Sequence, residues 1–572
     1  MNVLSTFLVP AESGWQRAGW LLLAIFIVFA LVAGKVASTV FAVLFLAGLW
    51  LLLRRRTERP GPLPAWVLAS FAAYFLAGVL AYFISGEQTR LGEQLLGRDI
   101  RFLGAIPVYF AIRALRLPPR ALLAGLGLAG ALTGVFAVLQ VALGDELRAT
   151  GASISILFGH LSAALAVVNL ALALRGVDGT RGWAMAGAAG GLAAVLLSGT
   201  RGAALTVLII GGLVCLTWCG RDGRRWLKAG TAAAVVVAMI ALTPLAQNLL
   251  DRLGDGKRQV AEHVRADAIL AKYAAPEQLP ACLDAPELLH WLLASGNVRV
   301  AGNTVAIQVI ENADFAPVTG TRCAGGAFLR VDNTGPKHVS IVLPERSVAP
   351  DGGSGGSLLL RGKGAVRLAT AGSAVQRFNF KQPRRLDLDT KPDESAETMA
   401  RTLVDVSVGA QVDLVILATA PGEYRYMDAS GPIVSRLYMW RIAASGFLGA
   451  PLLGVGTGAF PALLETHARS GAGPWQLVQY DHAHNEFLTV AAERGIAGVL
   501  ALLLVYLAPF LLFHRRGDAS GAAGMALVSA FVLSGLTETI FNHSLAITYY
   551  CVLVFLLATA PLAVSRPPPR TP

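Results

Sequence analysis

The run Val40-Phe-Ala-Val-Leu-Phe-Leu-Ala-Gly-Leu-Trp-Leu-Leu-Leu53, closed by Arg54-Arg55-Arg56, decides the fold. It ends an apolar stretch from 37 to 53 that stops at three positive charges. A helix rises about 1.5 Å per residue, so roughly 20 apolar residues cross about 30 Å of hydrocarbon. Basic residues beside such a run mark its cytoplasmic end. The pattern recurs along the chain. Apolar runs lie at 19–34, 37–53, 64–84, 102–115, 121–141, 156–174, 183–198, 203–219, 229–246, 486–513, 521–540 and 545–564. Every second connection is basic: Arg54, Arg55, Arg56 and Arg59; Arg113, Arg116 and Arg120; Arg175 and Arg181; Arg221, Arg224, Arg225 and Lys228; Arg515 and Arg516; Arg566 and Arg570.

Composition agrees. Of 572 residues, 55% are hydrophobic and only 15% charged, more apolar surface than a soluble domain can cover. The net charge of +12 sits in short loops between apolar runs, which excludes nucleic acid as its partner and fits membrane lipid instead. The expected fold is an all-α polytopic membrane protein of about 12 transmembrane helices with both termini cytoplasmic. The first two runs meet at Gly34-Lys35, and one bent helix there would put the N-terminus outside. No small-residue cleavage site follows a short apolar run, so the first helix is expected to be a retained anchor.

The connections 85–101, 142–155, 199–202, 247–485 and 541–544 then face outward, where no nucleotide donor is available. One of them is far longer than a loop needs to be. The domain reading is 1–246, membrane helices; 247–296, an outward helical segment; 297–421, a periplasmic insertion containing a small β-rich domain; 422–485, a surface or re-entrant segment; and 486–572, the last three spans and tail. Within 297–421, short alternating stretches such as Val298–Ile310, Ala327–Val331, Val375–Phe380 and Leu403–Leu417 are separated by Gly, Pro, Asn and Asp. A spacer or lid is one role for it, and a module binding a partner or glycan is another. Cys215, Cys219 and Cys551 lie in apolar runs, whereas Cys282 and Cys323 share the polar insertion, where either a disulfide or two separate thiols fits.

Three segments carry chemistry. Leu196-Leu-Ser-Gly-Thr-Arg201-Gly202 places an arginine at a short outward turn between apolar runs. An arginine there costs roughly 2.5–3.5 kcal/mol on insertion scales, which an anionic ligand would offset and snorkelling to the interface would avoid. Ser435-Arg436-Leu-Tyr-Met-Trp440-Arg441 supplies two more guanidiniums, of which Arg436 is the favoured one, followed by the turn Pro451-Leu-Leu-Gly454-Val-Gly456-Thr-Gly458. Guanidinium matches phosphate because its planar fork donates two hydrogen bonds at once. Tyr480-Asp481-His482-Ala-His484-Asn485-Glu486 leads into the tenth run and reads as an acid/base site. His-x-His also chelates metals, but no third and fourth ligand stand nearby in sequence, so no metal and no cofactor are expected. Arg90, Arg98, Arg101, Arg148 and Glu538 are further outward candidates, each also readable as an interfacial anchor.

These segments resemble the O-antigen ligase and polymerase superfamily of bacterial membrane glycosyltransferases, and most the ligases. The likeness rests on Ser198-Gly-Thr-Arg201-Gly202, on Arg436 with Trp440 and Pro451-Leu-Leu-Gly454-Val-Gly456, and on His484-Asn485 followed after nine residues by Gly495-Ile-Ala-Gly498. It spans most of the membrane portion and not the β-rich insertion. The resemblance implies an inner-membrane enzyme with its active site facing the periplasm. Its donor would be an undecaprenyl diphosphate-linked glycan and its acceptor a lipid A–core hydroxyl. By that resemblance, Arg201 and Arg436 bind the diphosphate and His484 is the general base of an inverting, metal-independent transfer. Arg441, His482, Asn485 and Asp481 would be supporting residues, with Asn485 positioning the loop and His482 the acceptor. Polymerases and protein O-oligosaccharyltransferases share the chemistry. A lipid-linked glycan transporter would also use rim arginines, but no internal repeat of the kind transporters carry is visible.

Overall fold

A computed structural model describes residues 14–54, 64–84, 88–144, 148–175, 180–218, 432–469, 477 and 479–559, together with the strands between 281 and 418 and, beside them, Thr334 and Ala410. The expected span at 229–246, Cys219, Cys323 (and so its pairing with Cys282) and both chain ends lie outside the described residues, as does the helical segment expected at 247–296 except for Ala281–Cys282, which form a strand and not part of a helix. The chain divides into two units. One holds residues 1–252, 443–460 and 482–572, and the other holds 253–442 and 461–481.

The first unit is helical. Its elements are α1 (Gly14–Phe29), α2 (Gly34–Leu53), α3 (Ala65–Ile84), α4 (Arg90–Leu115), α5 (Pro119–Leu143), α6 (Ser155–Arg175), α7 (Arg181–Ser198) and α8 (Arg201–Trp218). After the insertion come α11 (Glu486–His514), α12 (Ala519–Gly535), a 3-10 turn at Ile540–Asn542 and α13 (Ser544–Thr559). Among the described residues, 5 helices are long and apolar enough to cross a membrane: α2, α3, α5, α6 and α11. Large apolar side chains such as Leu46 (63% exposed) and Leu208 (72%) stand on the outer surface of this unit, where only lipid would accept them in number. The protein is a helical membrane protein. α1 and α2 are separate helices, parted by a turn at 30–33. α5 and α7 cross with their backbones nearly touching. A Cβ on Gly130 would lie 2.2 Å from the Gly187 carbonyl oxygen, so only hydrogen fits at this crossing.

Two boundaries differ from the sequence expectation. The connection 85–101 is not a loop beyond its first few residues: α4 begins at Arg90, because the Thr89 hydroxyl accepts from the Gly92 amide at 3.0 Å and caps the helix. Arg98 and Arg101 are therefore helical. The run 521–540 is not one helix either. α12 ends at Gly535, and Thr537–Thr539 leave it in a non-helical turn that carries Glu538.

α11 contains a second departure from regularity. Gly495 has φ 58° and ψ −157° in the middle of the helix, which breaks its hydrogen-bond ladder. The freed backbone is taken up by the glycine-rich turn 451–458. Val455 and Gly456 amides donate to the Ala492 and Glu493 carbonyls at 2.8 and 3.0 Å, and the Ile496 amide donates to the Pro451 carbonyl at 2.8 Å. The turn needs glycine for close approach and for its sign of φ: Gly454 has φ +70°, and a Cβ there would lie 2.3 Å from the Glu493 carbonyl carbon. Gly454→Ala is expected to destabilise the membrane unit by about 3 kcal/mol, the sum of left-handed strain and overpacking. Thermal melting of the purified protein in detergent checks this, and an unchanged midpoint would contradict the packing described.

Among the described residues of the second unit, eleven antiparallel strands form two sheets. The larger runs in the order β3 (Val305–Ala313), β4 (Gly326–Asn333), β11 (Gln411–Ala418), β6 (Ser357–Lys363), β9 (Arg384–Asp387), with β1 (Ala281–Cys282) also paired to β11. The smaller runs β2 (Arg299–Ala301), β5 (Val339–Val342), β10 (Thr402–Val406), β7 (Ala365–Thr370), β8 (Gln376–Asn379). The Asn333 side-chain amide on β4 donates to the Val406 carbonyl on β10 at 2.9 Å, a buried link between the two sheets, and its backbone amide donates to the Ala410 carbonyl, just before β11, at 3.0 Å. The segment after the sheets forms α9 (Pro432–Gly449), which runs from this unit into the first, and α10 (Phe460–Arg469).

Candidate active site

The site is built where two non-helical limbs meet, 482–485 at the entrance to α11 and 536–543 between α12 and α13. Asn485 holds the first limb. Its Oδ1 accepts from the Leu488 amide at 3.0 Å, capping α11, while its Nδ2 donates to the Leu536 carbonyl at 3.0 Å on the second limb. The Thr489 hydroxyl accepts from the Ala483 amide at 3.1 Å and lies 3.4 Å from the Thr539 hydroxyl. Held at these points, His484 adopts φ +49°, a conformation that non-glycine residues take only when their surroundings impose it.

That backbone aims both histidines at one carboxylate. His484 Nδ1 lies 2.9 Å from Glu538 Oε1 and 3.1 Å from Oε2, and His482 Nε2 lies 3.0 Å from Oε1. The rings are 4.5 Å apart and tilted edge to face. The Glu538 side chain is only 3% exposed, and its Oε1 also accepts from the Thr539 amide at 3.0 Å. Burial alone would push this carboxyl up, but the hydrogen bonds and charge of His482 and His484 hold it well below the usual carboxylate range. Glu538 is thus an anion, and an anion here orders the proton positions. It accepts the Nδ1–H of His484, and when that imidazole is neutral this tautomer carries its lone pair on Nε2.

The three side chains could together coordinate a divalent cation, since one ligand atom from each lies within 4.8 Å of the others. Glu538 is the third ligand that sequence spacing did not show. The contacts of 2.9 to 3.1 Å are also those of direct hydrogen bonds, which satisfy all three groups without an ion. Chelation is therefore expected to leave activity within about twofold of its starting rate, because Glu538 already orients both histidines without an ion. Loss of rate in EDTA, restored by added zinc, would instead make the cluster a metal centre.

Arg201 opens α8 beside the same limb. A Cβ on Gly202 would lie 2.3 Å from the Thr537 Oγ1 and 3.0 Å from His160 Cε1, so the start of α8 packs directly on the residue preceding Glu538. His160 Nδ1 is 2.9 Å from the Ser534 hydroxyl, at the base of this junction. The turn before Arg201 is gripped by Arg148, whose Nε donates to the Ser198 carbonyl at 2.7 Å and whose Nη2 reaches the Thr200 hydroxyl at 3.4 Å. Arg98 also reaches the site's second limb, donating to the Asn542 carbonyl at 2.7 Å. Arg90 is exposed, and Arg101 bonds within α4 to the Gly97 carbonyl at 3.3 Å. Arg436 and Arg441 lie on the part of α9 that belongs to the second unit, where Arg436 is half-buried and Arg441 exposed. Asp481 is exposed and also falls in that unit.

Among the described residues, the buried charges Asp99, Glu493 and Arg494 escaped sequence reasoning as site candidates, and buried Glu486 entered it only as the end of the Tyr480–Glu486 segment. The signal was present, because Glu493-Arg494 interrupt an otherwise apolar run.

Helices long and apolar enough to cross a membrane, with a buried carboxylate contacting two histidines beside an arginine-bearing turn, define a membrane protein with a candidate acid/base centre. The model of the O-antigen ligase family matches residues 395–503, and this match supports the O-antigen ligase and polymerase superfamily for the chain. The matched stretch includes Arg436, the glycine-rich turn, His482, His484 and the kink at Gly495, but neither Arg201 nor Glu538. No curated protein matches the sequence.

Proposed function

We propose that this protein is a glycosyltransferase that moves an O-antigen glycan from undecaprenyl diphosphate to a lipid A–core hydroxyl on the periplasmic face of the inner membrane. The observation that carries the reading is the contact of His484 Nδ1 with both oxygens of the buried Glu538. That contact leaves Nε2 as the base. Nε2 takes the proton of the acceptor hydroxyl as its oxygen attacks the anomeric carbon, and the bond from that carbon to the diphosphate breaks. Glu538 stabilises the imidazolium that forms, as the carboxylate does in a serine-hydrolase triad. The leaving group departs as a diphosphate anion, and Arg201 and Arg436 neutralise its charge. Attack opposite the leaving group inverts the anomeric centre, and no metal takes part. His482, sharing Glu538, orients the acceptor.

The proposed topology follows the alternating basic loops: twelve crossings, both termini cytoplasmic, the site outward. The family match fits a polymerase or a protein O-oligosaccharyltransferase as well, since these differ only in the acceptor hydroxyl.

Complementation of a ligase-deficient host separates them. The wild-type chain is expected to restore the high-molecular-weight lipopolysaccharide ladder, and Arg201→Ala at equal expression to reduce it about a hundredfold, the usual effect of removing one donor to a developing anion. If the wild type restores no ladder in a host whose core is a competent acceptor, the lipid A–core assignment is wrong. Longer lipid-linked chains would then identify a polymerase, and glycosylated protein an oligosaccharyltransferase.

A further inference from the structure

Below the histidines, the interior of the membrane unit holds an ion pair that the mechanism does not use. Arg494 Nη2 donates to Asp99 Oδ2 at 2.6 Å, and both side chains are only 4% exposed. The guanidinium lies over the Tyr74 ring, 4.9 Å from its centre, and occupies room left by Gly78, where a Cβ would stand 3.1 Å from Nη1. Arg494 Nε and Nη1 make no hydrogen bond among the described residues. A buried pair so incompletely satisfied is a poor source of stability, and apolar side chains of similar volume would usually serve the fold as well. Its value lies in what it connects.

The Tyr74 hydroxyl reaches Glu486 Oε1 at 3.5 Å, and Glu486 Oε2 accepts the Phe541 amide at 2.9 Å. Glu486 stands two residues after His484, and Phe541 three after Glu538. The chain Asp99–Arg494–Tyr74–Glu486–Phe541 therefore ends on both limbs of the site. The neighbour of Asp99 on α4, Arg98, grips the second limb separately through the Asn542 carbonyl. At the other end, Arg494 adjoins the Gly495 kink that seats the glycine-rich turn.

We propose that Asp99 and Arg494 form a buried positioning pair, and that with Arg98 they make α4 the part that sets the two limbs at the spacing His484 and Glu538 require. As a statement about catalysis it rests on the reading of His484 as the base; as a statement about the limbs it stands alone. Charge is what the chain needs. A guanidinium on a carboxylate and a π face has a fixed plane and direction, whereas neutral amides hold the same site more loosely.

The test uses the full-length protein in nanodiscs, with the neutral pair Asp99→Asn/Arg494→Gln, which leaves no unpaired buried charge, and with Arg98→Gln as a second variant. Hydrogen exchange is followed by mass spectrometry on peptides covering 480–488 and 536–545, with α5–α7 as internal reference. For the neutral pair, exchange in both limbs is expected to rise about tenfold while the reference helices stay unchanged, as for a local opening below the global one. Arg98→Gln should raise it in 536–545 alone. In the transfer assay the neutral pair should lose about tenfold in kcat with donor KM unchanged, the pattern of a group acting only through the transition state. Unchanged exchange in both limbs overturns the positioning pair, whatever the assay reads, and Arg98→Gln decides the same point should the neutral pair fail to fold. Raised exchange with full kcat overturns its catalytic part. A wild type that transfers no glycan from the diphosphate-linked donor overturns the glycosyltransferase reading instead, while exchange still decides whether the pair holds the limbs.

Discussion

His484→Ala is expected to lower the transfer rate by about 10²–10⁴-fold, the range for loss of a general base. The acceptor hydroxyl then has to lose its proton to water while the carbon–oxygen bond forms. The effect should fall on kcat, because in the proposed mechanism the donor's diphosphate is held by arginines that the substitution does not touch. Folding should be spared, because the Asn485 and Thr489 bonds that hold the limb stay in place and Glu538 keeps its bonds to His482 and the Thr539 amide. Initial rates with a purified lipid-linked glycan and a truncated acceptor, at saturating donor, make the measurement. A His484→Ala enzyme with more than a tenth of wild-type kcat would remove His484 from the reaction and leave His482 as the next base to test.

Glu538→Gln is expected to lower kcat by about 10³-fold without unfolding the protein, and for a different reason. Glutamine fits the space and can still bond both rings. Its amide, however, can donate to His484 Nδ1, which places the imidazole proton on Nε2, where a base cannot carry it. The substitution also removes the anion that stabilises the imidazolium. Donor affinity should be unchanged, and Glu538→Asp should recover part of the rate if the shorter side chain still reaches Nδ1. The pH dependence carries a sign that can be worked out. The folded-state pKa of Glu538 lies below its unfolded value. The stability contributed by the cluster is therefore complete above the ordinary carboxylate range and is lost only as pH falls through the lowered value. Between about pH 5 and 8 this carboxylate does not titrate, so wild-type stability should be insensitive to Glu538 ionisation there. Thermal melting of wild type and Glu538→Gln across that window should leave wild type the more stable at every pH, with the gap never narrowing toward the acid end. Curves that converge toward the acid end within that window would show that Glu538 is already protonating.

Several features of this protein needed no coordinates. The length of the apolar runs and the arginines between them announced membrane-crossing helices, because bilayer thickness and charge asymmetry act along the chain one segment at a time. His484-Asn485 and the glycines that follow were singled out through their resemblance to a family pattern, whereas the cap at Asn485 and the kink at Gly495 emerged only in the structure. What the linear chain could not show is which charges meet. Glu538 stood among several outward candidates of equal standing, and only the fold brings it 2.9 Å from a histidine 54 residues away. Asp99 and Arg494 are 395 residues apart, one in a segment that reads as a loop and the other inside an apolar run. The loop reading failed because a single threonine cap extends α4 back to Arg90, a contribution of about 1 kcal/mol that hydropathy does not register. The apolar run hid Arg494 because its cost is offset by a carboxylate, an aromatic face and a glycine that come from two other helices. Sequence alone determined that this chain lies in a membrane and which histidine the proposed function makes its base. The tertiary structure decided which carboxylate orders that base, because ion pairing in a low-dielectric interior depends on distance in space and not along the chain.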